Sequence, residues 1–285
     1  MTAADVEETV RIQIDAFAAL GRRRGDEPEA ITDRMLERAR LRHDHFVTHD
    51  PDGAFVATIE DKVVGCALAL RRERLWGLSL LVVAPATQSS GAGRKLLDAA
   101  LAYGEGCARG VILSSSDPRA IRSYATSGFQ LFPQVSASGS PAMAGRPTLD
   151  RRVRTGSATD RELADDVDRD VRGAGRGPDH EVVAAVGAQM YVVDDARGRG
   201  YAYLRDGGVY LLAASDDATA AALLWRCLEH VHDTGTKATV DHITAEQQWA
   251  VEACFAARLK VVPDGPVFWR GATPPCAYLP SGAFL

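Results

Sequence analysis

The order of folding signals in this chain runs through twice, and that repetition limits the fold more than any single motif does. A helical stretch comes first, with Val6, Val10, Ile14, Phe17 and Leu20 on one face; a second helical segment opens at Pro28 and runs through Met35 and Leu36. After Pro51-Asp52-Gly53 the texture becomes β-branched and apolar at 54–60, 62–71 and 75–83. The turn at Glu60-Asp61 and a charged Arg-Arg-Glu-Arg cluster separate these stretches, which predicts antiparallel strands. A helix over 91–103, a strand over 110–115, a helix over 118–126 and a strand over 129–132 follow. The same order returns as helix 160–172, strands 189–194, 200–205 and 208–214, helix 218–231, strand 237–241, helix 245–257 and strands 259–262 and 267–270. Laid on the first half, Ala213 falls on Val83 and Cys254 on Tyr124, both 130 positions later, while Leu224 and Leu228 fall on Leu97 and Leu101, 127 later. The expected fold class is α/β with a mixed α+β sheet, one fold used twice.

A chain of 285 residues has room for two such domains. Between Pro133 and Ser157 the sequence turns to Ser, Gly, Pro, Ala and Arg without apolar period. The expected division is a first domain over 1–135, a linker over 136–157 and a second domain over 158–285. No apolar run approaches the roughly 18 residues of a membrane span, and acidic residues stand at the start where a signal peptide would be basic, so the expected location is the cytoplasm, away from membranes. A net charge of −5 argues against nucleic acid as the partner, and Arg22-Arg23-Arg24 reads as a solvated turn. The five cysteines, at 66, 107, 227, 254 and 276, have no C-x-x-C spacing; His43 with His45 and His230 with His232 sit two apart, so no metal is expected. The expected state is a monomer or a homodimer.

Two segments carry chemistry. The first runs from Leu81 to Leu97, an apolar strand entering Pro85, then Gln88-Ser89-Ser90-Gly91-Ala92-Gly93-Arg94, then an amphipathic helix. Glycines at a helix start let backbone amides approach an anion closely, and the helix dipole favours negative charge there, so a pyrophosphate fits. A tight turn with no ligand is the other reading of Gly-Ala-Gly. The second segment is a helix with Asp117 as N-cap, Pro118 at its first position and Gly128 as its stop. It carries Tyr124, which taken alone reads as an aromatic packed on the sheet.

In combination the two segments resemble the GCN5-related N-acetyltransferase (GNAT) superfamily. Val83 to Gly93 matches the acyl-CoA signature V-x-P-x-x-[Q/R]-x-x-G-x-[G/A], and Asp117 to Phe129 follows N-x-x-A-x-x-x-Y-x-x-x-G-F with Asp in place of Asn. The resemblance covers roughly residues 1–135. It implies two tandem GNAT-like domains, each a splayed mixed β-sheet flanked by helices, with acetyl-CoA wedged where two strands part. It further implies that the backbone of Leu81, Val82 and Val83 holds the pantetheine arm and that Gln88, Ser89, Ser90, Gly91, Ala92, Gly93 and Arg94 cradle the pyrophosphate. Asp117 would contact the cofactor or cap its helix, and Tyr124 would protonate the leaving thiolate.

Family members often carry a Glu on the strand entering the signature, but Leu75-Trp76-Gly77-Leu78-Ser79-Leu80 has no carboxylate. Glu73, Ser79 and a water chain stay open as the route for the amine proton. In the second half Ser215-Asp216-Asp217-Ala218 replaces the glycine loop and Cys254 the tyrosine, so a degenerate, structural domain without CoA is expected. The charged, glycine-containing stretch 168–181 reads as a solvated loop, and the apolar tail 278–285 as docked. The expectation is transfer of an acetyl or short acyl group from acetyl-CoA to a small-molecule primary amine. A non-catalytic acyl-CoA sensor is the alternative.

Overall fold

The structure is a computed structural model that describes residues 1–25 and 30–285. The Pro28 opening of the second helical segment lies outside the described residues. Contacts divide the chain into one compact unit of Met1–Ile112 with Ala283–Leu285, and another of Leu113–Gly282. This division falls ahead of the compositional shift at Pro133. Composition follows the repeat along the chain, whereas packing follows which strands pair.

In the first unit α1 (Val6–Arg24) and α2 (Asp33–His49) precede a meander of β1 (Ala54–Ile59), β2 (Lys62–Arg72) and β3 (Leu75–Val83). Helix α3 (Ala92–Tyr103) then leads to β4 (Arg109–Leu113). The meander is antiparallel, and β4 lies parallel to β3, giving the mixed sheet that the sequence pattern implies. The core is built on β2 and β3, where Cys66 to Leu70 and Leu75 to Leu80 are buried on both faces. Helix α1 buries Val6, Val10, Ile12, Ala16 and Ala19, while Phe17 of the expected apolar face stays half exposed. His43 and His45 are both buried in α2, despite their i, i+2 spacing.

The second unit holds α4 (Pro118–Thr126), β5 (Gln130–Gly139), β6 (Arg154–Thr155), α5 (Arg161–Arg172), α6 (Asp179–Ala185), β7 (Gln189–Asp195), β8 (Gly198–Arg205) and β9 (Gly208–Ala214). It continues through α7 (Asp217–Thr234), β10 (Ala238–Thr244), α8 (Gln248–Ala256), β11 (Lys260–Arg270) and β12 (Tyr278–Leu279). Its strand order is β11-β5-β10-β9-β8-β7-β6. Strand β5 is longer than the sequence suggests, because its residues after Phe132 pair antiparallel with β10 on one edge and β11 on the other. The expected strands 259–262 and 267–270 are one strand with a register shift between Asp264 and Val267. Asp216 caps α7 by accepting the Thr219 amide at 2.9 Å.

Candidate active site

Strand β3 enters the signature segment with two irregularities. Its ladder with β2 pairs Leu68 with Leu80 and Ala69 with Leu78, leaving Ser79 as the extra residue of a bulge. Its parallel ladder with β4 runs from Leu75↔Arg109 to Leu78↔Ile112 and stops, although β3 itself continues to Val83. Among the described residues no strand pairs with that edge of β3 beyond Leu78. The backbone of Leu81, Val82 and Val83 is bound to β2 on one side only.

The chain then turns through Pro85 to Thr87 into Gly91, which adopts φ +88° as the N-cap of α3. This left-handed conformation favours glycine and aims the first amides of α3 out of the turn. The first backbone bond of α3 runs from the Lys95 amide to the Gly91 carbonyl at 3.2 Å, so the amides before it have no partner within the helix. Ser90 Oγ accepts from the Ala92 amide at 3.4 Å. A Cβ built on Gly93 would meet only Val83 Cγ2, at the ordinary contact distance of 3.5 Å. Nothing inside the fold requires glycine at 93. The space in front of it suits an anion, and the residues present fit the diphosphate of acetyl-CoA. Gln88 Nε2 donates to the Val83 carbonyl at 3.4 Å, and Arg23 Nη1 donates to Gln88 Oε1 at 3.5 Å. The arginines at 22–24 form the last turn of α1, which brings Arg23 to this loop. Ser89 takes a positive φ of 73°, and Arg94 pairs with Asp98 at 2.9 Å one turn on.

Asp117 and Tyr124 sit seven residues apart on α4, in the second unit. Asp117 caps the helix, accepting the Arg119 amide at 2.9 Å, and pairs with the Arg119 guanidinium at 2.7 Å. Tyr124 is buried, with its ring edge-on to Phe268 at 5.6 Å between centroids. Its hydroxyl makes no hydrogen bond among the described residues. Burial, and secondarily the Asp117 charge, pushes its pKa up to about 12.

Of the open routes for the amine proton, two side chains can be placed. Ser79 Oγ donates to the Ala283 carbonyl at 2.6 Å and accepts from Arg42 Nε at 3.0 Å, so its proton is committed. Glu73 lies in the β2–β3 turn, at the end of β3 remote from Val83; nine strand residues span roughly 30 Å. It is too far from the loop to serve there. The apolar tail docks as expected: Phe284 stacks on Phe46 at 6.2 Å, meets His45 edge-on at 5.4 Å, and Leu285 packs over Gly77.

The second unit has the matching irregularities but closes them. Strand β9 has its extra residue at Tyr210, and its parallel ladder with β10 ends at Val209↔Val240. Strand β8 holds one edge of Leu212 and Ala213, and β12 takes the other by pairing Leu279 with Leu212 and Tyr278 with Ala213. The Ala214 amide donates to the Ala277 carbonyl at 3.0 Å. Where β3 presents an unpaired edge, β9 is covered by its own chain.

The stretch 168–181 is not the solvated loop that its polarity suggests. Asp168, Arg172, Arg176, Asp179 and His180 are all buried, and much of the stretch is helical. Arg176 Nε lies 3.0 Å from Asp168 Oδ2, its Nη2 donates to Tyr278 Oη at 2.5 Å, and Tyr201 donates to Asp168 at 2.7 Å. Asp165 accepts the Arg176 and Gly177 amides at 2.6 and 2.9 Å. Burial alone would raise the Asp165 pKa, but His180 and these amides hold it well below the usual carboxylate range. Asp165, Asp168 and His180 offer ligand atoms within 4.8 Å of one another, a cluster the histidine spacings did not reveal. The one signal for it was the i, i+3 spacing of Asp165 and Asp168. Arg176 already supplies the cationic charge there.

Residues 18–129 match the acetyltransferase (GNAT) family. Three solved structures share the fold. A protein from Pyrococcus horikoshii, described as a candidate acetyltransferase, is 17% identical, with a TM-score of 0.75 covering 100% of this chain and 94% of that one. A GCN5-related N-acetyltransferase from Sphaerobacter thermophilus is 14% identical with a TM-score of 0.57, covering 95% and 93%. A tandem GNAT protein from the clavulanic acid biosynthesis pathway is 14% identical with a TM-score of 0.56, covering 96% and 98%. Among curated proteins none matches. Residues 18–129 are thus similar to the acetyltransferase (GNAT) family, and the chain shares the fold of a tandem GNAT protein.

Proposed function

We propose that the chain transfers an acetyl or other short acyl group from acetyl-CoA to a primary amine, with its acyl-CoA site in the first half. The observation that carries this reading is the unpaired edge of β3 leading into the glycine-opened start of α3. The backbone of Leu81, Val82 and Val83 would hold the pantetheine arm, and the segment Gln88 to Arg94 the pyrophosphate. Asp117 fixes the start of the helix that carries Tyr124. No metal enters this reading.

The neutral amine nitrogen attacks the thioester carbonyl, the carbon–sulfur bond breaks, Tyr124 gives its proton to the departing sulfur, and the proton that the amine nitrogen loses leaves through water, which returns one to the phenolate. Its raised pKa keeps the phenol protonated at neutral pH. Direct acyl transfer needs mainly positioning and these two proton movements, so a lone acid on a shaped site is sufficient machinery. The closed edge of β9 and the Asp216-Asp217 helix start favour a second half that does not take acyl-CoA. A small amine is the favoured acceptor, and in this reading 1–135 is the active domain and 158–285 its degenerate copy, joined by 136–157.

The test is a panel of small amines with acetyl-CoA, read by thiol release. Turnover with at least one amine is expected. Saturable acetyl-CoA binding without release across amino acids, polyamines and amino sugars would favour the sensor reading.

A further inference from the structure

The second unit carries a pocket that the transfer reading does not use. Residues of the segment 146–153 and of α7 line an open pocket of about 500 Å³. Arg146, Arg151, Arg152 and Arg226 line it, and Glu229 is the one carboxylate in its wall. The pairing of these charges leaves a surplus. Glu229 serves two cations at once, with Oε1 at 3.0 Å from Arg146 and Oε2 at 3.2 Å from Arg226. Arg151 is committed to Asp150 at 2.7 Å and to Asp216 at 3.5 Å. Arg152 has no ion pair among the described residues. Set against this one carboxylate, the guanidinium groups of Arg146, Arg152 and Arg226 leave an excess of two positive charges. Arg226 is also held in place from behind, its guanidinium 4.8 Å from the Tyr191 ring centroid. The rest of the wall is largely apolar, formed by Pro147, Leu149, Val153 and Ala222.

We propose that this pocket binds a phosphate monoester of a small organic molecule. A monoester carries close to two negative charges at neutral pH, matching the surplus, and guanidinium forks match its oxygens bidentately. The volume is that of a small-molecule site, larger than phosphate alone would fill, and the apolar wall suits an organic body. Arg146, Arg152 and Arg226 read the phosphate. This inference is independent of acyl transfer and gives the second half a ligand of its own.

Calorimetric titration of the full chain with phenyl phosphate tests it, with phenol, inorganic phosphate and succinate as comparisons. The expected result is one saturable site for phenyl phosphate, weaker binding of inorganic phosphate and none of phenol. Arg152→Ala should weaken it about tenfold, since a charge-assisted contact is lost, and Arg146→Ala comparably. Gly93→Val should leave it unchanged, which separates this pocket from the acyl-CoA loop. Absence of saturable binding, affinity unaltered in both arginine variants, loss in Gly93→Val, or preference for succinate would each overturn the proposal.

Discussion

Three residues carry claims that single substitutions decide. Tyr124→Phe keeps the ring against Phe268 and removes only the hydroxyl. Positioned acid catalysis is worth about 10² to 10⁴ in rate, and a phenol held near 12 gives its proton uphill to a thiolate of pKa near 8.5. The expected loss in kcat is therefore at the lower end, about 10², with acetyl-CoA affinity nearly unchanged; an unaltered kcat removes Tyr124 from the mechanism. Gly93→Val should abolish acetyl-CoA binding in a folded protein, because its Cβ has room inside the fold while the branched side chain crowds the loop proposed to hold the diphosphate. Normal affinity in that variant contradicts the loop assignment. His43 concerns stability. Burial lowers its pKa to about 4, only partly offset by its hydrogen bond to the Ala39 carbonyl at 2.8 Å. Because the folded value lies below the ordinary one, the unfolded chain takes up the proton first; stability is full above pH 6.5 and drains away toward pH 4. Between pH 7 and 5 the loss should be about 2 kcal/mol, and His43→Gln should flatten it in denaturant titrations.

At the scale of elements, legibility followed how local the physics was. Helix α4 was readable to the residue, since Asp117, Pro118 and Gly128 each act within one turn. The strand–loop–helix of the acyl-CoA segment was readable for the same reason. Helix α6 and the buried charges around it were not, because the groups that neutralise them come from afar; Arg176 meets Tyr278 across 102 positions. A stretch rich in Asp and Arg looks solvated until its partners are known. Strand β12 is two residues long and gave no periodicity, yet it closes the edge of β9. Removing Asp168 leaves Arg176 buried without its carboxylate, which typically costs about 3–5 kcal/mol. Asp168→Ala should therefore lower the unfolding free energy by that order, while an exposed-pair change such as Asp98→Ala stays within about 1 kcal/mol. Equal effects in chemical denaturation would mean that the network contributes little.

On the scale of the whole molecule, the chain uses one fold twice, and the proposed chemistry belongs to one copy. The two copies share a bulged third strand and a parallel ladder that stops early, at Leu78 in the first and Val209 in the second. They differ in what lies beyond the stop. In the first half an unpaired edge runs into Gly91 and Gly93; in the second, β12 fills the edge and two aspartates open the helix. By the proposed reading, an acyl-CoA diphosphate would be attracted to the first arrangement and repelled by the second. Calorimetric titration of the full chain with acetyl-CoA measures this asymmetry most directly. About one tight site per chain is expected, lost in Gly93→Val. Two equivalent sites, or a single site that survives Gly93→Val, would contradict it.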